Sequence, residues 1–206
     1  MKSLLLTAAL LSSSAFAADP NLVTNGSFET TAVNAGNWLL SPTLEGWSVL
    51  AGPANFEIRN NVVGSAQDGS NFIELDTTGN TTIAQSFASL TAGASYALSF
   101  WYAPRANVAA ASNGIEVLWN GQQLGTTLTG NGGSAPAWTQ YSFSVSALAG
   151  NNTLSFRSVG ASDSLGGSLD NVSLTSAVPE PSGYALLLAG LGAVGLIARR
   201  RGSVTR

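Results

Sequence analysis

The 206-residue sequence contains neither cysteine nor histidine. No disulfide can form, and catalytic Ser-His-Asp and Cys-His sites and the usual zinc sites are excluded with them. A Gly-rich phosphate loop leading from a strand into a helix is also missing. The remaining enzyme class works with paired carboxylates, as glycoside hydrolases do, and could draw on Glu57, Glu74 and Glu116. Carboxylates on strand surfaces are usually solvated, so we expect a protein that is not an enzyme.

Positive charge is also scarce in the central part of the chain. Residues 18–177 hold three arginines, no lysine and ten acidic residues, a net charge of −7 at neutral pH. Binding to nucleic acid or to an anionic membrane surface requires clustered Lys and Arg. We therefore expect no nucleic-acid partner here, whereas neutral ligands and divalent cations remain open.

The first 17 residues have the composition of a secretory signal peptide. Lys2 precedes an apolar stretch at positions 4–11, and Ala15 and Ala17 supply the small-x-small ending. Cleavage is predicted before Ala18. The alternative is a short first helix of the fold, but the apolar stretch lacks the amphipathic period that such a helix would show.

The carboxyl end combines a rigid spacer with an apolar run. Pro179, Glu180 and Pro181 form the spacer, because each proline fixes φ and removes a backbone donor. Residues 184–198 are apolar and contain no charged residue. As a helix they would reach ~22 Å, somewhat short of the ~30 Å hydrocarbon core of a bilayer. A buried terminal helix is the alternative, but it should show a polar face.

Three consecutive arginines, Arg199, Arg200 and Arg201, follow the apolar run. Such charges resist translocation and act as a membrane stop. The sequence thus predicts a linker over 178–183, a single transmembrane helix over 184–198 and a basic cytoplasmic tail over 199–206.

The order of triplet, apolar run and arginines resembles the PEP-CTERM sorting signal of Gram-negative bacteria. The resemblance implies that exosortase, a membrane protease and transferase, recognises Pro179, Glu180 and Pro181. It further implies an exported protein that passes through an inner-membrane intermediate, loses its helix, and reaches the cell surface or the extracellular polysaccharide matrix.

Residues 18–177 have the length of one domain and the pattern of a β-protein. About nine or ten short segments alternate apolar and polar residues between turn signals, without helical periodicity. We expect an all-β, two-sheet antiparallel β-sandwich of jelly-roll type. The first strand is predicted within 22–29, residues 31–45 are predicted as a loop, and Asn120-Gly121 favours a type I′ hairpin.

Several segments are similar to those of the galactose-binding-like jelly rolls, which include many carbohydrate-binding modules. They are NGSFE at 25–29, Gly46-Trp47, NFIEL at 71–75, IAQSF at 83–87, G-x-x-Y-x-L-S-F at 93–100 and LDNVSL at 169–174. The resemblance implies a structural calcium ion held by Glu29 and Asp170 with backbone carbonyls. Calcium prefers hard oxygen ligands of this kind. The alternative is that both are ordinary turn acids.

Carbohydrate recognition combines flat aromatic faces with polar groups that satisfy hydroxyls. Trp101 and Trp138 are candidates because each lies on the polar row of its strand, and Arg59, Glu57 and Glu74 lie on the less apolar rows of other strands. Polar rows of two sheets point in opposite directions, so these residues converge only if they share a sheet. An indole covered by a loop is the alternative for either tryptophan. Trp47 and Trp119 are predicted to be core.

These patterns together favour an exported surface or matrix protein whose non-catalytic sandwich binds carbohydrate. Two alternatives are a passive structural matrix protein and a carboxylate-dependent glycoside hydrolase.

Overall fold

The computed structural model describes residues 19–177 together with Gly190. The described chain forms a two-layer antiparallel β-sandwich, which confirms the predicted fold class. The strands are β1 (Asn37–Ser41), β2 (Ser48–Ala51), β3 (Phe56–Asn60), β4 (Asn71–Glu74), β5 (Thr82–Phe87), β6 (Ser95–Ala103), β7 (Gly114–Trp119), β8 (Gln122–Gln123), β9 (Thr139–Ser146), β10 (Asn152–Val159) and β11 (Ser168–Ser176).

The strands divide into a six-stranded sheet, ordered β1-β3-β4-β11-β6-β9, and a five-stranded sheet, ordered β2-β5-β10-β7-β8. All pairings are antiparallel. Alternating side chains of both sheets fill the space between them, as the period of two in each strand dictates. Both sheets and this core lie within 19–177, so the segment contains what an independently folding domain needs.

Aromatic contacts join the two layers. Phe100 of β6 meets Phe156 of β10 edge-on with ring centroids 5.0 Å apart, and Trp47 lies 6.1 Å from Phe156. Trp47 and Trp119 are 7% and 6% exposed, in agreement with their predicted place in the core. Edge-on and tilted arrangements of this kind are favoured by the ring quadrupoles.

The expected first strand within 22–29 is wrong. These residues form turns in which Asn25 and Phe28 adopt positive φ angles of 52° and 60°. Gly26 lies so close to β11 that an added Cβ would meet the carbonyl oxygen of Val172 at 2.0 Å. The segment is tied to β11 by single bonds instead of a ladder, including one from Leu22 N–H to Leu174 O at 2.8 Å.

The expected loop over 31–45 is wrong in its second half, because β1 lies there. β1 pairs with β3 in an unbroken register from Asn37↔Asn60 to Ser41↔Phe56. Its Trp-Leu-Leu run does not alternate apolar and polar residues, so the period-two pattern that predicts a strand is absent here. The hairpin at Asn120-Gly121 is confirmed, with φ angles of 52° and 78° that a type I′ turn requires.

The structure contains no helix of sufficient length and apolar character to span a bilayer among the residues it describes. The predicted signal peptide over 1–17, the Pro-Glu-Pro triplet, the transmembrane helix over 184–198 and the basic tail lie outside the described residues, Gly190 excepted.

Candidate functional site

The outer face of the six-stranded sheet, the side away from the core, collects the predicted ligand residues. In the antiparallel ladders, residues directly opposite each other point to the same side. Glu57 lies opposite Glu74, and Glu74 lies opposite Ser168. Two residues further along β3, Arg59 lies opposite Trp38 on one side and Phe72 on the other, and Trp101 of β6 lies opposite Asp170 and Gln140. The β4–β11 pairing ends at Leu169↔Ile73, and Asp170 and Phe72 are the next residues along these two strands. We call the six residues Trp38, Arg59, Phe72, Asp170, Trp101 and Gln140 the transverse row.

The predicted ligand residues lie on the same sheet, which the sequence did not determine. Arg59, Glu57, Glu74 and Trp101 belong to one sheet and share one face, so they converge on one surface. Trp138 precedes β9 and reaches the same face, where its ring meets Phe72 edge-on with centroids 5.7 Å apart.

The charged members form a buried cluster of Glu57, Arg59, Glu74 and Arg105. Arg59 donates from Nη2 and Nε to Glu57 Oε1 at 2.5 and 2.9 Å, and Arg105 forms an ion pair with Glu74 Oε1. Arg59 Nε also lies 3.1 Å from Glu74 Oε2, but that oxygen accepts no well-aligned hydrogen bond because the N–H points to Glu57. The main-chain N–H of Gly166 donates to Glu74 Oε1 at 3.1 Å.

Burial dominates the electrostatics of this cluster. Glu57, Arg59 and Glu74 are 4%, 3% and 1% exposed. Burial raises the pKa of Glu74 to about 7, against the opposing effect of Arg59 and Arg105. Burial also raises the pKa of Glu57, which Arg59 partly offsets. Because Glu57, Arg59 and Glu74 are paired with one another below the surface, they are better placed to hold the sheet in its conformation than to contact a ligand.

The same burial bears on carboxylate catalysis. Glu57 and Glu74 are neighbours, but neither carboxylate reaches solvent unless the cluster opens. Glu116 lies on β7 of the other sheet and forms an ion pair with Arg157. The three carboxylates that were available for a hydrolase are therefore divided between two sheets.

The accessible aromatic groups of the face are three tryptophans. Trp101, half-buried, stands between Asp170 and Gln140 in the row. Trp138, also half-buried, donates its indole N–H to the carbonyl oxygen of Ser65 at 2.9 Å. Trp38 is 53% exposed, more than any other tryptophan of the chain. Trp38 is not among the predicted ligand residues because residues 31–45 are predicted to form a loop. An aromatic residue beside two leucines was the available signal for a strand.

The loop between β3 and β4 is fastened to the face by the two predicted metal ligands. Asp170 Oδ2 accepts the N–H groups of Gln67 and Asp68 at 2.8 and 3.0 Å. Glu29 Oε1 accepts those of Ser70 and Asn71 at 2.7 and 2.6 Å. Asp170 is fully buried, and burial raises its pKa to about 7 although these hydrogen bonds lower it.

The donor set around Glu29 fits a calcium ion in part. Asn71 donates its amide to the carbonyl oxygens of Phe28 and Thr31 at 3.1 and 2.9 Å, which leaves its buried Oδ1 without a hydrogen-bond partner. Such an orphaned oxygen is a ligand that calcium accepts. Asp170 is already used by backbone N–H groups, and no cluster of three or more acidic residues exists within 19–177. An ion here would depend on amide and main-chain oxygens.

A cavity of about 390 Å³ lies elsewhere, between Leu22, Leu90, Tyr96 and Ser176. None of the predicted ligand residues lines it. It adjoins the end of β11, where the described sandwich stops.

Residues 177–201, which begin directly after β11, match the family described as the PEP-CTERM protein-sorting motif. The chain carries a PEP-CTERM sorting motif. This confirms the resemblance inferred from Pro179, Glu180 and Pro181. The PEP-CTERM motif covers the end of the chain alone, and the sandwich precedes it.

The rest of the chain resembles parts of much larger proteins. It is 36% identical over 154 residues to the multifunctional-autoprocessing repeats-in-toxin of Vibrio vulnificus, and 35% identical over 158 residues to that of Vibrio cholerae serotype O1. These matches cover 74% and 76% of this chain, and the chain spans about 3% of the length of either relative.

Among solved structures, the sandwich is similar to TmCBM61, which was solved in complex with β-1,4-galactotriose. The TM-score is 0.51 at 14% sequence identity, over 76% of this chain and 99% of that one. The domain upstream of the PEP-CTERM motif therefore has the fold of a carbohydrate-binding jelly roll.

Proposed function

We propose that the protein is exported, is sorted through its PEP-CTERM motif to the cell surface or the extracellular polysaccharide matrix, and binds carbohydrate on the outer face of its six-stranded sheet. The motif supports the first part. The fold and the transverse row support the second.

One observation carries the carbohydrate proposal: a single row across the sheet begins at Trp38 and ends at Trp101 and Gln140, with Trp138 against its middle member Phe72. Trp38 and Trp101 stand four strands apart, ~19 Å at ~4.8 Å per strand. The members between them, Arg59, Phe72 and Asp170, are 3%, 2% and 0% exposed, so a sugar chain would contact the two ends of the row and the β3–β4 loop and Trp138 that cover its middle. The separation of the two exposed ends suits a polysaccharide chain better than a single sugar. Indole faces would stack on sugar rings, while Gln140 would bind hydroxyls.

In this proposal Glu57, Arg59 and Glu74 do not touch the carbohydrate; they support the residues that do. The ion pairs of Arg59, a member of the row, with Glu57 and Glu74 hold β3 and β4 together. Arg105 is the member of the cluster that reaches solvent, with 16% of its side chain exposed. Direct ligand contact by Arg59, Glu57 or Glu74 would require the cluster to open.

The test is affinity electrophoresis of residues 18–177 in gels that contain the exopolysaccharide of the producing strain or β-1,4-galactan. We expect retardation, and we expect Trp38→Ala and Trp101→Ala each to reduce it strongly. Leu50→Ala is the matched control, since Leu50 is 60% exposed on the other sheet. Unchanged mobility in every glycan would favour a passive structural matrix protein, and release of reducing ends would favour a hydrolase.

The sorting proposal has its own test. The full-length chain should be processed in cells that contain an exosortase, and triple alanine substitution at Pro179, Glu180 and Pro181 should leave it unprocessed in the inner membrane. Alanine at Thr175 and Ser176, just upstream of the motif, is the matched control. Equal processing of both variants would contradict recognition of the triplet.

We further propose that a calcium ion binds beside the β3–β4 loop. Glu29 and Asn71 would hold it, and Asp170 would fix the loop from the other side. Its contribution would be structural, because it would tie the segment that precedes β1 to β4 and β11.

A further inference from the structure

The two sheets end in four edge strands, and three of these are protected against pairing with another chain. β8 has two residues, and β2 has four with a register shift between Val49 and Ala51. β1 has five residues and is followed directly by Pro42. Short edges, irregular register and proline are the devices by which β-proteins block edge-to-edge association.

β9 carries none of these devices. Its eight residues pair with β6 in an unbroken register from Thr139↔Tyr102 to Ser146↔Ser95, without proline or charge. Apart from that ladder, the hydrogen bond to its main chain within 19–177 is the one from Trp119 Nε1 to Ser146 O at 2.8 Å. The outward N–H and C=O groups along the rest of β9 are available to another strand.

The edge formed by β9 also lacks charged residues. The domain has a net charge of −7, yet residues 117–156 contain no charged residue at all. β8 and β9, which lie at the ends of the two sheets, both belong to this stretch. A second copy that approaches along β9 would meet a strand without charged residues, so no like charges oppose the contact.

We propose that β9 is the interface for a second copy of this chain, paired antiparallel across a twofold axis. An isologous contact of this kind brings the same strand of each copy together. With the axis at Ser142, Tyr141 lies opposite Phe143 of the second copy. With the axis at Phe143, that residue lies opposite its own copy, and Tyr141 lies opposite Val145.

Both registers continue the inner row of the sheet with apolar partners. Tyr141 and Phe143 are half-buried at the margin of the core, where each stacks on Phe100 with centroids 5.8 and 6.2 Å apart. Cross-strand aromatic pairs are among the more stabilising contacts of a sheet. Pairing would also join the two six-stranded sheets, and, if the proposed function holds, it would set two carbohydrate-binding rows side by side for bivalent binding.

The first test measures the mass of residues 18–177 by sedimentation over a concentration series in glycan-free buffer. We expect the weight-average mass to rise toward twice that of the monomer. Ser142→Lys combined with Ser144→Lys, both exposed on β9, should weaken this association about tenfold or more, because like charges would face each other across the axis. Ser86→Lys with Ser89→Lys adds the same charge away from β9 and should leave it unchanged.

The second test uses the absence of cysteine from the chain. Single substitutions Ser142→Cys and Phe143→Cys, which place a thiol on each of the two possible axes, and Ser144→Cys are oxidised at a concentration where the wild type associates. The variant nearest the axis should form a disulfide-linked dimer rapidly, and Ser86→Cys should not.

A monomer at every concentration overturns the proposal, as does a dimer that the β9 lysines and the control lysines affect equally. Near-ultraviolet circular dichroism of each variant identifies unfolding. Because no glycan is present, these results are independent of whether the domain binds carbohydrate.

Discussion

Asp170 and Glu29 both accept hydrogen bonds from main-chain N–H groups at the end of the β3–β4 loop. Asp170 Oδ2 accepts the N–H groups of Gln67 and Asp68, and Glu29 Oε1 accepts those of the next residues but one, Ser70 and Asn71. The last strand and the segment before the first strand are thus joined through the β3–β4 loop. In a chain that has no disulfide, this junction replaces a covalent link between the two ends of the domain.

Removing one carboxylate should loosen this junction measurably. Asp170→Ala leaves two loop N–H groups without their acceptor, and we expect a loss of roughly 1–3 kcal/mol in the free energy of unfolding. Urea denaturation at pH 6 measures it. Glu45→Ala removes an exposed carboxylate and should change stability little. Equal stability of the two variants would show that the loop is held by other contacts.

Calcium should raise the melting temperature of residues 18–177, since an ion bound to the folded state alone stabilises it by mass action. Asn71→Ala and Glu29→Gln should each remove that increase, because they take away the orphaned amide oxygen and its neighbouring carboxylate. Asn34→Ala, a change outside this group of residues, should keep the increase. A melting temperature unmoved by calcium or by a chelator would contradict the proposed site.

The buried carboxyls make stability depend on pH in an unusual direction. Glu74 and Asp170 have ordinary pKa values of 4.5 and 3.8, and burial raises both to about 7 in the folded protein. Between these limits the folded protein binds more protons than the unfolded chain. The contribution of these two carboxyls to stability is therefore complete below about pH 4 and is lost as pH rises toward 7.

Thermal melts from pH 4.5 to 7.5 in the presence of a chelator measure this dependence. Asp170→Asn should flatten the slope, because the amide does not titrate, and Glu116→Gln on the other sheet should retain it. A melting temperature that rises with pH over this window would show that hydrogen bonds and arginines keep the two carboxyls ionised.

The hairpin between β7 and β8 offers a test of local backbone strain. Gly121 has a φ of 78° and open space around its Cα, so Gly121→Ala should be opposed by backbone conformation alone, by roughly 1–2 kcal/mol. Gly133→Ala is the control, because Gly133 has no positive φ and no close neighbour. The difference between the two variants in urea denaturation isolates the cost of the turn.

Residues with a clear period of two could be placed from the sequence. FEIRN at 56–60 alternates apolar and charged residues, which predicts a strand with Phe56 and Ile58 on one side, and β3 has those bounds with that inner row. The Asn-Gly pair fixed the hairpin because few other residues accept its φ angles. β1 is not predicted since Trp38, Leu39 and Leu40 do not alternate. The strand expected within 22–29 is wrong because positive φ angles at Asn25 and Phe28 interrupt an extended backbone, so the segment meets β11 through single hydrogen bonds.

The sequence predicted which residues lie on the face of the candidate site, but not how deeply they are buried. Alternation assigned Arg59 and Glu74 to the polar side of their strands, and both do lie on the outer face. Alternation does not reveal what covers a face. Glu74 is sealed by Arg105 and by the N–H of Gly166, which lie far from it along the chain, so its burial depends on tertiary contacts that no local pattern encodes.

Leu22 and Leu174 share a hydrogen bond, and β11 ends two residues later at the start of the sorting motif. Both termini of the sandwich consequently leave from one pole. Attachment through the sorting motif would therefore hold the domain at this end of the sandwich. Arg105 and Gly166, which follow β6 and precede β11, lie at the opposite end of the six-stranded sheet.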